Sequence, residues 1–211
     1  MEHGSYLLMS LGLVALIAAL VYLRAFVTIV PSLFACCLRW KEVINLEDSA
    51  SLARMRNIVF SMIMLPFVLM ATGYNIFCLE FLDNMGPELR FAICLGITAV
   101  YFGLRMTIAA IMRPSTFNHK LWGAYMSCFR DFFTLNTLEC LAITGILALC
   151  NCSDNAIRST ILIISAVNYS IHLLRRMQIF ASARGVFSSI LYLCALEFLP
   201  SGILIAAAIL F

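Results

Sequence analysis

A chain of 211 residues with 63% hydrophobic and 12% charged side chains, and a mean hydropathy of +0.99, cannot cover itself with water-facing groups. This excludes a water-soluble domain. The net charge of +3 arises without any Lys/Arg-rich block, so the electrostatic footprint of nucleic-acid binding is missing too.

A bilayer core of about 30 Å takes roughly 20 apolar residues per helix. The sequence offers six such runs, with short loops and no room for an appended soluble domain. The expected fold is therefore all-α: one polytopic membrane helix bundle over residues 1–211.

The first run covers residues 5–23. Met1–Ser5 holds no Lys or Arg, so the positive n-region of a secretory signal is missing and a retained helix is expected. A shorter apolar stretch with Pro31 follows and ends in Arg39, Trp40 and Lys41. It is too short to span, and over residues 26–42 it reads as an interfacial helix on the cytoplasmic leaflet. The alternative is one Pro-kinked helix continuing the first span. Asp48 or Ser49 is the expected N-cap of the helix leading into the second span.

That second run, 58–79, holds Pro66 and Gly73. The third, 91–112, is interrupted only by Arg105, and the fourth, 132–150, only by Glu139. A short fifth run, 159–174, carries His172 near its end, and the sixth, 185–211, carries Glu197 and Pro200.

Basic residues alternate between the gaps. Arg39, Lys41, Arg54, Arg56, Arg113, Lys120, Arg130, Arg175, Arg176 and Arg184 fall on one side, against Arg90 and Arg158 on the other. By the positive-inside rule the richer side is cytoplasmic, and both termini face outward, to the periplasm of a Gram-negative cell. The halves, three spans each, have opposed topology as in inverted-repeat transporters. They share no matching sequence, and any six-helix chain divides this way.

Ionisable groups at membrane depth cost about 2.5–3.5 kcal/mol each on insertion scales, so they face protein or water and take partners. Arg105 and Glu139 each lie seven residues from the cytoplasmic end of their runs, about 10 Å deep, which makes them the first choice of ion pair. Snorkelling of Arg105 is the alternative. Glu197 lies near mid-bilayer, as a neutral carboxyl bonded across helices or as a proton relay. His172 is expected at the interface. The candidate intramembrane polar network is thus Arg105, Glu139 and Glu197, with Tyr192 beside the last.

Most of the nine cysteines lie within apolar runs and read as small hydrophobes. Cys78, Cys150 and Cys152 fall at outer helix ends, where an oxidising compartment could join Cys78 to either of the others. Cys150-Asn151-Cys152 has no further ligands to make a metal site. The chain lacks a phosphate-cradling Gly loop, an H-E-x-x-H pair and a G-x-S-x-G elbow, and its three histidines are scattered. No cofactor, metal site or catalytic set is expected.

The closing stretch holds Leu174-Arg175-Arg176, Phe180, Arg184-Gly185-Val186, then Leu191-Tyr192-Leu193-Cys194-Ala195-Leu196-Glu197 and Pro200. It resembles the end of a Bacteroidota integral-membrane family known as domain of unknown function 4271. The likeness covers the whole chain in layout and about the last forty residues in motif. One departure is the absence of Lys or Arg after the final run. The resemblance implies a source and a compartment, the inner membrane, and directs attention to Tyr192, Cys194, Glu197 and Pro200 as one cluster. It implies no activity.

The first functional expectation is an accessory or assembly subunit that binds a membrane-protein partner or a second copy. The second is a small proton-coupled transporter built on the Glu/Arg network. The third, an intramembrane enzyme acting on lipid, would need polar groups converging on a lipid-accessible cavity.

Overall fold

The computed structural model describes residues 2–77, 85–111 and 119–183. Among these the chain is wholly helical: α1 (Glu2–Val21), α2 (Leu23–Leu38), α3 (Trp40–Asp48), α4 (Ala50–Gly73), α5 (Pro87–Ile111), α6 (His119–Leu149) and α7 (Asp154–Ala183). Four of them, α4 to α7, are long and apolar enough to cross a membrane. The count rises to five if α1 and α2, bent by 77° at Tyr22, form one broken span. The sixth expected run, with Tyr192 and Glu197, lies outside the described residues.

Local chemistry sets the helix ends. α4 and α6 both stop on an asparagine in the left-handed region, Asn75 (φ 44°) and Asn151 (φ 54°). In each case the next amide reaches back five residues, Ile76 to the Ala71 carbonyl at 3.2 Å and Cys152 to the Leu147 carbonyl at 3.1 Å. Asparagine is the residue after glycine best suited to this cap, because its short polar side chain tolerates the conformation. α5 opens with Pro87 at its first position, where a missing N–H costs nothing. Ser49 is the N-cap of α4, as the sequence suggests, but its hydroxyl pairs with Ser51 rather than with an amide.

Two expectations are corrected here. The segment 26–42 is not one helix: extended backbone at Arg39 (φ −138°, ψ 117°) divides it into α2 and α3. Ile29, Leu33 and Cys36 of α2, with Val43 and Leu46 of α3, lie fully buried in the main core beside Tyr125, Cys128, Phe132 and Leu135 of α6. The four-residue spacing of Ile29 and Leu33, carried on to Cys36, places all three on one face, and that face meets protein instead of headgroups.

Second, α6 and α7 are much longer than the apolar runs within them. At 1.5 Å per residue the 31 and 30 residues span about 46 and 45 Å, beyond a hydrocarbon core of about 30 Å. Beyond the apolar runs, Asp131 and Arg176 are buried within the packing.

The centre of the bundle is aromatic. Phe60 and Phe67 of α4, Phe102 of α5, and Phe129 and Phe133 of α6 meet with ring centroids 4.8–6.1 Å apart, several of them edge to face. Such pairs add about 0.5–1.5 kcal/mol each beyond simple burial. That matters here, because lipid is as apolar as leucine and gives helices no hydrophobic reason to associate. Large apolar side chains face outward along the flanks, among them Met9, Val27, Val100 and Ile163.

Candidate functional site

The polar side chains of the spanning helices collect in three layers along α6 and α7, the most extensively packed pair. On α7 they recur as Ser165, Asn168, His172 and Arg176, steps of three and four that keep one face toward α6. On α6 they recur as Tyr125, Cys128, Asn136, Glu139 and Cys140.

At the end where α3 lies, Arg56 of α4 is only 1% exposed. Its Nη2 sits 2.8 Å from Oε2 of Glu47 on α3, and its Nε 3.6 Å from Oδ1 of the buried Asp131 on α6. Burial pushes the Glu47 carboxyl up, but the Arg56 hydrogen bond and charge, with the Ser127 hydroxyl, outweigh it and hold it below its ordinary value. α3 approaches α6 closely at Gly123, where an added Cβ would stand 3.4 Å from Oε1 of Glu47.

The middle layer is cationic and aromatic. Arg105 of α5 donates from Nη1 to the Tyr101 hydroxyl at 3.2 Å, and its Nη2 lies 3.4 Å from Nε2 of His172. Its guanidinium carbon stands 3.7 Å above the Phe129 ring. The other imidazole nitrogen of His172, Nδ1, is 3.8 Å from Sγ of Cys128. One turn further along α7, Arg176 donates from Nη2 to the Tyr125 carbonyl at 2.9 Å and stacks over that ring at 3.7 Å.

The deepest layer is an amide and carboxyl cluster. Asn168 donates to Glu139 Oε2 at 2.6 Å and to Asn136 Oδ1 at 3.1 Å, and Asn136 donates to Ser165 at 3.2 Å. Cys140 closes the group, 3.8 Å from the Ser165 hydroxyl.

Of the expected network, Arg105 is buried (5% exposed) rather than snorkelling. Arg105 and Glu139 do not bond to each other. Arg105 turns to Tyr101 and His172, while Glu139 turns to Asn168, which lies on the facing surface of α7. Glu197 and Tyr192 lie outside the described residues, as does Cys78. Cys150 and Cys152 are both free thiols. His172, expected at the interface, is 2% exposed between Phe129, Phe132 and Tyr169, because α7 continues past it for eleven residues to Ala183. The sequence reading did not single out Arg56, Asp131, Asn136, Asn168 or Arg176 as parts of the site. The polar stripe on α7 was the available signal for two of them.

Two cavities flank the middle layer. One of about 390 Å³ lies among α4, α5, α6 and α7 and is lined by Arg105, Arg130 and Arg176 together with Asn57, Ser61 and Phe129. The other, about 400 Å³, is lined by Tyr101, Phe129, Phe133 and Tyr169, with Asn168 and His172 on one wall. Phe129 borders both. No group of three or more His, Cys, Asp or Glu side chains is placed to share a metal ion among the described residues. Neither the protein-family models, nor the curated proteins, nor the solved structures contain a match to this chain.

Proposed function

We propose that this chain is a small proton-coupled carrier in a bacterial inner membrane, with the arginine-rich end of the bundle cytoplasmic and both termini periplasmic. The membrane setting follows from four spans of sufficient length and apolarity. The orientation rests on the ten-to-two split of Lys and Arg between alternate gaps. The resemblance of the closing segment to the Bacteroidota family supports the same compartment.

One observation carries the carrier reading: the polar column between α6 and α7. From Cys140 to Tyr125 it extends fifteen residues, about 22 Å of a core of about 30 Å. It consists of two hydrogen-bonded clusters a single helical turn apart, Glu139–Asn168–Asn136–Ser165 and His172–Arg105–Tyr101. An ionisable group at this depth, here Glu139 with its amide partners, is by default a candidate for a solute or proton path. The assembly-subunit reading draws on the outward apolar flanks, which any spanning helix presents to lipid, and a partner or second copy would cover them.

The test is flux. Membrane vesicles holding the protein should take up protons on addition of its solute, sought among phosphate, phosphate esters and carboxylates. Glu139→Gln, at equal abundance, should abolish the signal. Identical traces for the two proteins would dismiss the carrier.

A further inference from the structure

We infer that the groove at the α1–α2 bend holds one anionic glycerophospholipid, with its phosphate on Arg54 and an acyl chain between α1, α2, α4 and α6. Two adjoining hollows form the groove. The inner one, about 520 Å³, has only apolar side chains on its wall among the described residues, including Ala15 and Ala19 of α1, Val27 and Val30 of α2, Ile63 of α4 and Leu138 of α6. The outer one, about 610 Å³, is lined by Tyr22, Arg54, Asn57 and Ser61. Met62 borders both, and Tyr22 of the outer hollow is followed in the chain by Leu23 of the inner.

The order of the lining along α4 matches a lipid's own order. Arg54, Asn57 and Ser61 come first, then Met62, Ile63 and Pro66. The twelve residues from Arg54 to Pro66 cover about 18 Å, against about 15 Å for half of a hydrocarbon core of about 30 Å. One leaflet presents a phospholipid in the same sequence, polar head and then chain. The inner hollow sits at the 77° bend, where the short side chains of Ala15 and Ala19 leave space. Pro31 and Pro66, both on its wall, lack the N–H that the Val27 and Met62 carbonyls would accept in an unbroken helix. A flexible acyl chain fills so irregular an apolar space.

Charge selects the head. Arg54 is the one charged side chain lining either hollow among the described residues. It is exposed and forms no hydrogen bond or ion pair there, whereas Glu47 and Asp131 are directed at Arg56. Its guanidinium matches a phosphodiester through paired N–H···O bonds. A zwitterionic lipid brings an ammonium that offsets this attraction, so a head with net negative charge is preferred. The Tyr22 hydroxyl and the Asn57 side-chain amide, also without partners among the described residues, are donors for the remaining head-group oxygens. Ser61 already donates to the Asn57 carbonyl at 3.0 Å.

The experiment places the full chain in nanodiscs of mixed phosphatidylcholine and phosphatidylglycerol and counts retained lipid by native mass spectrometry. One phosphatidylglycerol should stay bound in preference to phosphatidylcholine. Arg54→Gln should cut that preference about fivefold, the factor carried by one basic residue at a membrane surface, and Arg54→Lys should keep most of it. Ala19→Phe, which fills the inner hollow, should lower retention of both lipids. Arg54 is exposed, so its replacement should leave the melting temperature unchanged; if Ala19→Phe lowers it, the Arg54 comparison decides alone. Equal retention of the two lipids, indifference to Arg54→Gln, or oleate held as well as phosphatidylglycerol would overturn the assignment. So would a dimer carrying no lipid, which would give the groove to a second copy. The outcome is independent of proton flux, because binding is read without transport.

Discussion

Nη2 of Arg105 and Nε2 of His172 lie 3.4 Å apart, joining α5 to α7 through the cation and the imidazole at the heart of the bundle. Since the guanidinium only donates, the geometry asks for a neutral imidazole that accepts at Nε2 and turns its Nδ1 proton toward Cys128. His172→Leu should remove both links. The expected cost is about 1–3 kcal/mol, read as a lowered melting temperature in detergent. His172→Asn, which keeps an acceptor, should recover part of it. Equal melting of wild type and His172→Leu would mean that the contact contributes nothing.

Glu139 and Asn168 give a second, separable prediction. Their 2.6 Å bond joins α6 to α7 in a part-buried position. Glu139→Gln retains an acceptor and should leave abundance and melting nearly unchanged. Glu139→Leu should lose about 0.6–1.7 kcal/mol, the range measured for hydrogen bonds between membrane helices. If Gln and Leu destabilise alike, the carboxylate charge rather than the bond is what the helix pair needs.

The end of the bundle should be acid-sensitive through Glu47. Its carboxyl is held below the ordinary value of 4.5, despite burial, by Arg56. A depressed carboxyl adds stability that is complete above the unfolded-state value and drains away as pH falls through the lower folded value. Melting temperature should therefore drop as the solution is taken from above pH 4.5 to below it, and Glu47→Gln should flatten that part of the curve. An identical acid limb in the variant would sink the prediction.

Thiol labelling offers a test of orientation. Cys150 is exposed at the tip of the α6–α7 connection, whereas Cys36, Cys94, Cys128 and Cys140 are buried. A membrane-impermeant maleimide applied to intact spheroplasts should modify Cys150 and spare those four, as peptide mass mapping would reveal. Modification of Cys150 only after lysis would reverse the proposed sidedness.

Much of the frame was legible because hydropathy reports directly on the solvent. The runs at 58–79, 91–112, 132–150 and 159–174 all fall largely on helices. Where the reading stopped short, charge was the reason. A hydropathy window ends at Arg130 and Asp131, yet α6 begins at His119, since Asp131 is buried opposite Arg56 instead of meeting water. By sequence, Arg56 falls in the basic gap before the second span. Its burial depends on α3 folding back over α4, a tertiary event that leaves no local trace. The pairing of Arg105 with Glu139 rested on equal depth alone, and depth says nothing about which way a helix face points. The spacing of Ser165, Asn168, His172 and Arg176 did carry that information, because steps of three and four select one side of a helix.

The bend at Tyr22 has a bearing on how the protein is made. Ile29, Leu33 and Cys36 share one core with Tyr125, Cys128, Phe132 and Leu135 of α6, some ninety residues later in the chain. During synthesis α2 therefore emerges long before the surface that will receive it, and must wait in lipid or against the insertion machinery. A chain halted before α6 should leave α2 open to protease, and only completion of the α6–α7 hairpin should close it off.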